Sequence, residues 1–246
     1  MIKKKFVKLI YDNIKTLLGA LIIAVIIRSL FFQPFYIPSS SMEPTLLVGD
    51  RIFVTKYAYG YSKHSFPFSP NITNERYFLK SPKVGDLVVF KTPADNRTDY
   101  IKRLIGMPGD TIQFINGELI INEKKIPRKK ASQNKVTRCG KFIIETNTFI
   151  ETLPNGLQHQ TSYKKMGTLQ NSQKYIVPSE HYFLLGDNRD CSKDSRYLDS
   201  VGYVHNLNLV GKAKLIFFSN DTNKSSLLKI WNLNRSFRFD RLFKKL

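Results

Sequence analysis

Between Leu17 and Ile27 the chain reads LLGALIIAVII without a polar side chain, and apolar character resumes at Leu30-Phe31-Phe32 after Arg28-Ser29. A helix apolar all round must be buried in lipid or in a core, so this run decides what the rest of the chain folds against. Extended from Ile14 to Phe35 it has 22 residues, about 33 Å at helical rise, which matches the hydrocarbon thickness of a bilayer. Arg28 is then about 10 Å from the Phe35 end, near enough for its long side chain to reach the polar interface. Lys3, Lys4, Lys5, Lys8 and Lys15 precede the apolar run, a cluster that a buried core helix has no need of. A cleavable secretory signal requires a small-x-small site, whereas SLFFQP follows here, so the segment reads as an uncleaved anchor. By the positive-inside rule residues 1–13 are cytoplasmic, 14–35 cross the membrane once, and the chain from 36 onward lies outside.

The net charge of +20 resembles a nucleic-acid footprint until it is divided along the chain. Residues 1–35 hold six Lys/Arg against one Asp, and residues 222–246 hold seven against one. Basic ends around an apolar helix suit an anionic membrane surface better than a nucleic acid, and no nucleic-acid partner is expected.

Beyond the anchor the pattern is strand-like, with short β-branched and aromatic runs following Gly-Asp turns. Gly49-Asp50 precedes RIFVTKY, Gly85-Asp86 precedes LVVF, and Gly109-Asp110 precedes TIQFI, which Asn116-Gly117 separates from ELIIN as in a two-residue hairpin. Further strands are expected at Tyr175–Val177, Tyr182–Leu185 and Lys212–Phe218. The expected fold is mainly β: an antiparallel catalytic domain over 36–116 and 181–218, with a smaller β domain inserted over 117–180 and one transmembrane helix in front. Residues 61–80 read as an exposed loop or ribbon. Residues 219–246 form a basic tail with Phe239, Leu242, Phe243 and Leu246 at helical spacing, suited either to an interfacial helix or to packing on the body. Two cysteines, Cys139 and Cys191, leave pairing undecided.

Ser41 stands in IPSSSMEPT, between Pro38 and Pro44 and just past the anchor. A serine hydroxyl attacks only when a base takes its proton. None of the four histidines lies in a recognisable catalytic motif, but DYIKRLIG offers Lys102. On a strand, alternation puts Tyr100, Lys102 and Leu104 on one face, and a lysine buried among apolar neighbours has its pKa pulled from about 10.4 toward about 7 to 8, where it serves as a base. A solvent-facing lysine is the commoner fate; the polar block GDNRDCSKDSR over 186–196 weighs against it. That block is no calcium loop, since its carboxylates are spaced three and four apart and the central glycine is missing.

The four blocks FYIPSSSMEPTLLVGD, VGDLVVF, DYIKRLIGMPGD and GDNRDCSKDSR, in this order, resemble the bacterial type I signal peptidases, or leader peptidases, from the anchor to about Phe218. The resemblance implies a serine endopeptidase that removes signal peptides from exported preproteins at the outer face of the cytoplasmic membrane, without metal or cofactor. It implies Ser41 as nucleophile, Lys102 as general base, and Ser39 with the Ser41 N–H as oxyanion donors. Ser192 would orient the lysine, with Asp194 and Arg196 as a supporting ion pair. Phe35, Ile37, Met42, Leu46, Tyr100 and Ile101 would line small pockets that select Ala-x-Ala before the cut. Two departures stand out: Ser40 replaces the family's usual Gly, and Cys191 replaces a common Asn, which would make the site sensitive to thiol reagents. A self-cleaving SOS repressor shares Ser/Lys chemistry but would lack the anchor and carry a DNA-binding head. A non-catalytic surface protein would act through its basic tails alone.

Overall fold

In a computed structural model the described residues are 2–71, 73–131, 135–140, 142–164, 171–221 and 236–246. Among the described residues one long helix, α1 (Ile2–Leu30), leads into sixteen strands. In chain order these are β1 (Phe32–Tyr36), β2 (Asp50–Thr55), β3 (Leu87–Lys91), β4 (Asp99–Gly106), β5 (Thr111–Ile115), β6 (Glu118–Ile121), β7 (Lys124–Lys125) and β8 (Arg128–Lys130). They continue with β9 (Lys135–Cys139), β10 (Phe142–Thr152), β11 (Gln158–Lys164), β12 (Tyr175–Ile176), β13 (His181–Leu185), β14 (Val204–His205), β15 (Leu209–Ser219) and β16 (Lys244–Lys245).

The helix ends at Leu30, not at Phe35. Proline at 34 has no N–H to continue the ladder and disfavours helical geometry at Gln33, so the chain opens into β1, which pairs antiparallel with β2 from Phe32–Thr55 to Tyr36–Arg51. The stretch long and apolar enough to cross a membrane is Lys8–Leu30, 23 residues, of which Ser29 alone is buried against the body. Arg28 therefore sits in the last helical turn.

The Gly-Asp turns share one construction. Gly49, Gly85 and Gly109 have φ of 97°, 94° and 88°, which glycine adopts without strain. The next carboxylate in each case accepts the N–H three residues back, Asp50 from Leu47 at 2.8 Å, Asp86 from Lys83 at 3.1 Å and Asp110 from Met107 at 2.8 Å. Asn116 and Gly117 both take positive φ, closing the β5–β6 hairpin as their sequence requires.

The main sheet runs β1-β2-β15-β3-β4-β13-β14, with β16 also on β15. Strand β3 is buried on both faces: Leu87 and Val89 join Ile37, Met42 and Ile52 in one cluster, while Val88 and Phe90 join Leu104 and Leu184 in another. Two smaller sheets follow, β12-β5-β6-β7 and β11-β10-β8 with β9 on β10. They begin at Thr111 rather than 117, because β5 pairs with β6 and β12 instead of extending the main sheet. A third cluster contains Ile112 and Phe114 of a smaller sheet together with Ile105, Phe183 and Leu185 of the main one, so the inserted strands and the main sheet share a core.

The segment 61–80 is a ribbon with exposed Phe68 and Phe78, held to the body where Tyr61 bridges Tyr77 and Arg76 donates to the carbonyls of Gly60, Asn206 and Leu209. Of the tail, residues 222–235 lie outside the described residues. Of the two alternatives for the spacing of Phe239, Leu242, Phe243 and Leu246, an interfacial helix does not form over 237–246, where a 3-10 turn at Phe239–Arg241 leads into β16. Ladder bonds to β15 and a buried ion pair between Arg241 and Asp50 outweigh that spacing, so this part packs on the body.

Candidate active site

Strand β4 sets the site. Its register with β3 places Lys102 opposite Val88 and Ile101 opposite Val89. Lys102 is 3% exposed, and its Nζ donates to Ser41 Oγ at 2.7 Å and to the Ile101 carbonyl at 3.0 Å. Burial is the main cause that lowers its pKa from 10.5 to about 8; the charges of Asp194 and Asp187 oppose the shift and Arg196 adds to it. The Tyr100 ring lies 5.3 Å from Nζ.

Ser41 is itself buried, with Ser39 Oγ 3.4 Å from its Oγ. Both serines open onto a cleft of about 670 Å³. One wall is Phe35–Met42 and the other Thr98–Lys102. Five of the six expected pocket residues, Phe35, Ile37, Met42, Tyr100 and Ile101, line it. Leu46 does not: its N–H bonds to the Met42 carbonyl at 2.9 Å, and that turn carries the side chain into the core beside Ile52 and Val54.

The 186–196 block sits against the dyad. Arg196 grips Asp194 through Nε at 2.8 Å and NH2 at 2.9 Å, and Asp194 also accepts the Gly186 N–H at 2.9 Å. Desolvation works against the Asp194 charge, but Arg196 prevails and holds the carboxyl below its ordinary value. Ser192 is buried beside Asp194, and the bonds that Lys102 Nζ makes are those to Ser41 Oγ and the Ile101 carbonyl.

Several supporting residues escaped the sequence reading. Asn188 donates its N–H to the Ser41 carbonyl and its Nδ2 to the Ser40 carbonyl, each at 3.1 Å. Asp187 accepts two bonds from Arg103, at 2.8 and 2.7 Å, and one from Thr45 at 2.5 Å, joining β4 to the loop after Ser41. Burial opposes that carboxylate's charge, yet the Arg103 guanidinium holds its pKa far below the usual range. Behind them Arg189 pairs with Glu151 of β10, and Ser162 of β11 donates its N–H to the Asp187 carbonyl at 2.8 Å, so the smaller sheet buttresses the block. The spacing of Asp187 and Arg103 carries no local periodic signal, which is why the pair was not legible. Cys139 and Cys191 are joined by a disulfide, so Cys191 offers no free thiol to a reagent.

The profile of the family described as "Signal peptidase, peptidase S26" matches residues 10–218. Signal peptidase I of Rickettsia typhi is 43% identical over 243 residues, covering 91% of this chain and 89% of that protein. The chain belongs to the signal peptidase family. Signal peptidase I of Rickettsia prowazekii is 42% identical over 242 residues, with the same coverage, and that of Rickettsia bellii strain OSU 85-389 is 39% identical over 250 residues, covering 94% of this chain and 84% of that protein. A solved signal peptidase I from Enterococcus faecalis is 26% identical and covers 54% of this chain and 97% of its own, with a TM-score of 0.33. Membership in the signal peptidase family makes this chain a serine peptidase that removes signal peptides, and the apolar helix α1 accords with a membrane-anchored enzyme.

Proposed function

We propose that the protein is a single-pass endopeptidase of the bacterial cytoplasmic membrane, with residues before α1 in the cytoplasm and the β body on the outer face, cutting exported preproteins by a Ser41–Lys102 dyad. The observation that carries the reading is the 2.7 Å contact between Lys102 Nζ and Ser41 Oγ, inside a site where burial lowers the lysine pKa to about 8. A neutral Lys102 takes the Ser41 proton as Oγ attacks the scissile carbonyl, and the ammonium then returns it to the departing amine. Water, activated by the same lysine, releases the acyl group from Ser41. Ser39 Oγ and the Ser41 N–H are the oxyanion donors. Asp194–Arg196 and Asp187–Arg103 fix the walls, with Ser192 packed behind them.

Backbone geometry supports a peptide substrate. β13 pairs with β4 only from Arg103 onward, leaving one edge of Asp99–Lys102 open along the cleft, and β1 is an edge strand leading into the facing wall. An extended peptide adds to such edges by main-chain bonds. Its alternate side chains meet Phe35, Ile37, Met42, Tyr100 and Ile101, which leave room for small groups and favour Ala-x-Ala before the cut. The partners are then preproteins and the phospholipid bilayer, with no nucleic acid. Holding enzyme and signal peptide in one membrane raises their effective concentration. The test is incubation of the detergent-solubilised protein with a preprotein and sequencing of the new N-terminus. Cleavage after a small residue, absent with Ser41→Ala, supports the reading; undiminished cleavage by Ser41→Ala or Lys102→Ala removes the dyad.

A further inference from the structure

The cleft has an end wall that the dyad does not explain. Beside the two walls already described, it is lined by Gly140, Cys191 and Lys193. Cys191 and Lys193 belong to the block that Asn188 clamps to the carbonyls of Ser40 and Ser41, and the Cys191 N–H bonds to the Asn188 carbonyl at 3.1 Å. These bonds tie the block carrying Cys191 and Lys193 to the Ser41 end of the cleft. Gly140 comes from elsewhere: it follows Cys139 at the tip of the β9–β10 hairpin in the inserted region. The Cys139–Cys191 disulfide, spanning 52 residues of chain with Cα atoms 5.1 Å apart, brings that tip to the cleft. Phe142 and Ile143, the first residues of β10, are 75% and 68% exposed, so apolar burial does not secure this end of the hairpin.

We propose that the disulfide is a positioning device that makes the β9–β10 tip the part of the cleft that receives substrate residues after the cut. This rests on the orientation proposed above: residues before the cut lie between Phe35–Ile37 and Tyr100–Ile101, and those after it must leave past Ser41, toward Gly140, Cys191 and Lys193. A peptide that ends soon after the scissile bond does not reach this wall. One that continues for several residues does.

The test uses the full-length protein in detergent with two peptides sharing the residues before the cut, one ending a single residue after it and one continuing for six. Dithiothreitol reduces the bond to two thiols and closes to its own cyclic disulfide, so its oxidation supplies both electrons and both protons. The expected result is a KM for the longer peptide raised about fivefold or more on reduction, with kcat and the pH profile held and the shorter peptide unaffected. Cys139→Ser should reproduce the reduced enzyme and gain nothing from dithiothreitol. Equal loss on both peptides would mean that the bond supports the catalytic block as a whole, and no change on either would mean that the tip takes no part; each overturns the proposal, as does finding two free thiols in the exported, unreduced protein. Cleavage of the shorter peptide by Ser41→Ala would instead overturn the site reading, a separate outcome.

Discussion

Gly186 and Ser192 touch so closely that glycine alone fits: a Cβ at 186 would lie 2.2 Å from Ser192 Oγ and 2.5 Å from the Ser41 carbonyl oxygen. Position 186 thus fixes how near the supporting block approaches the reactive serine. Gly186→Ala is expected to cost about 1–3 kcal/mol of stability through overpacking. It should also lower kcat by about 100-fold by displacing Ser41. Thermal unfolding and single-turnover cleavage measure the two effects separately.

Lys102 must be neutral to accept a proton, and its pKa is lowered to about 8. Activity should rise with pH, falling about tenfold for each unit below about 8 and levelling above it. Lys102→Arg should be inactive across that range, because guanidinium does not deprotonate in proteins. A profile governed by a group near pH 6.5 would point to a histidine base instead.

Ser39 Oγ lies 3.4 Å from Ser41 Oγ, close to where an oxyanion would form. Ser39→Ala should lower kcat by about 100- to 1,000-fold with little change in KM. An effect confined to KM would reassign Ser39 to substrate binding.

Asp187 and Arg103 form a bidentate pair with both side chains buried. Asp187→Ala leaves a buried guanidinium uncompensated and should destabilise the protein by about 3–5 kcal/mol. Because the folded-state pKa of Asp187 is depressed, the stabilisation it gives is complete above about pH 4 and declines as pH falls toward the folded value. Unfolding followed against pH should show this acid limb in the parent and not in Asp187→Asn.

The proposed orientation puts Lys5 inside the cell and Lys124, exposed at the edge of a smaller sheet, outside. In cells, a membrane-impermeant maleimide should label Lys124→Cys directly and Lys5→Cys only after permeabilisation. The opposite pattern would invert the topology.

Strand positions were legible because their signals are local. TIQFI occupies β5 residue for residue, LVVF begins β3, and each Gly-Asp pair makes the turn its chemistry favours. Lys102 was legible as a buried lysine from alternation on its strand taken together with the polar block over 186–196. The helix end was misplaced because Phe31, Phe32 and Phe35 are as apolar as the residues of the span; Pro34 was the overlooked stop signal. Leu46 looked like a pocket residue until the turn after Met42 carried it inward. Arg103–Asp187 and Cys139–Cys191 join residues 84 and 52 positions apart, and no periodicity links them.

Arg241 closes around Asp50 through two bonds, at 3.0 and 2.5 Å, and also donates to the Thr45 carbonyl at 2.9 Å. Asp50 is fully buried and precedes its cation by 191 residues. During synthesis the loop carrying Ser41 emerges early, yet its brace arrives only when the ribosome has passed position 241. A chain still short of position 241 therefore holds the Ser41 loop without the contacts that Arg241 makes to Asp50 and Thr45.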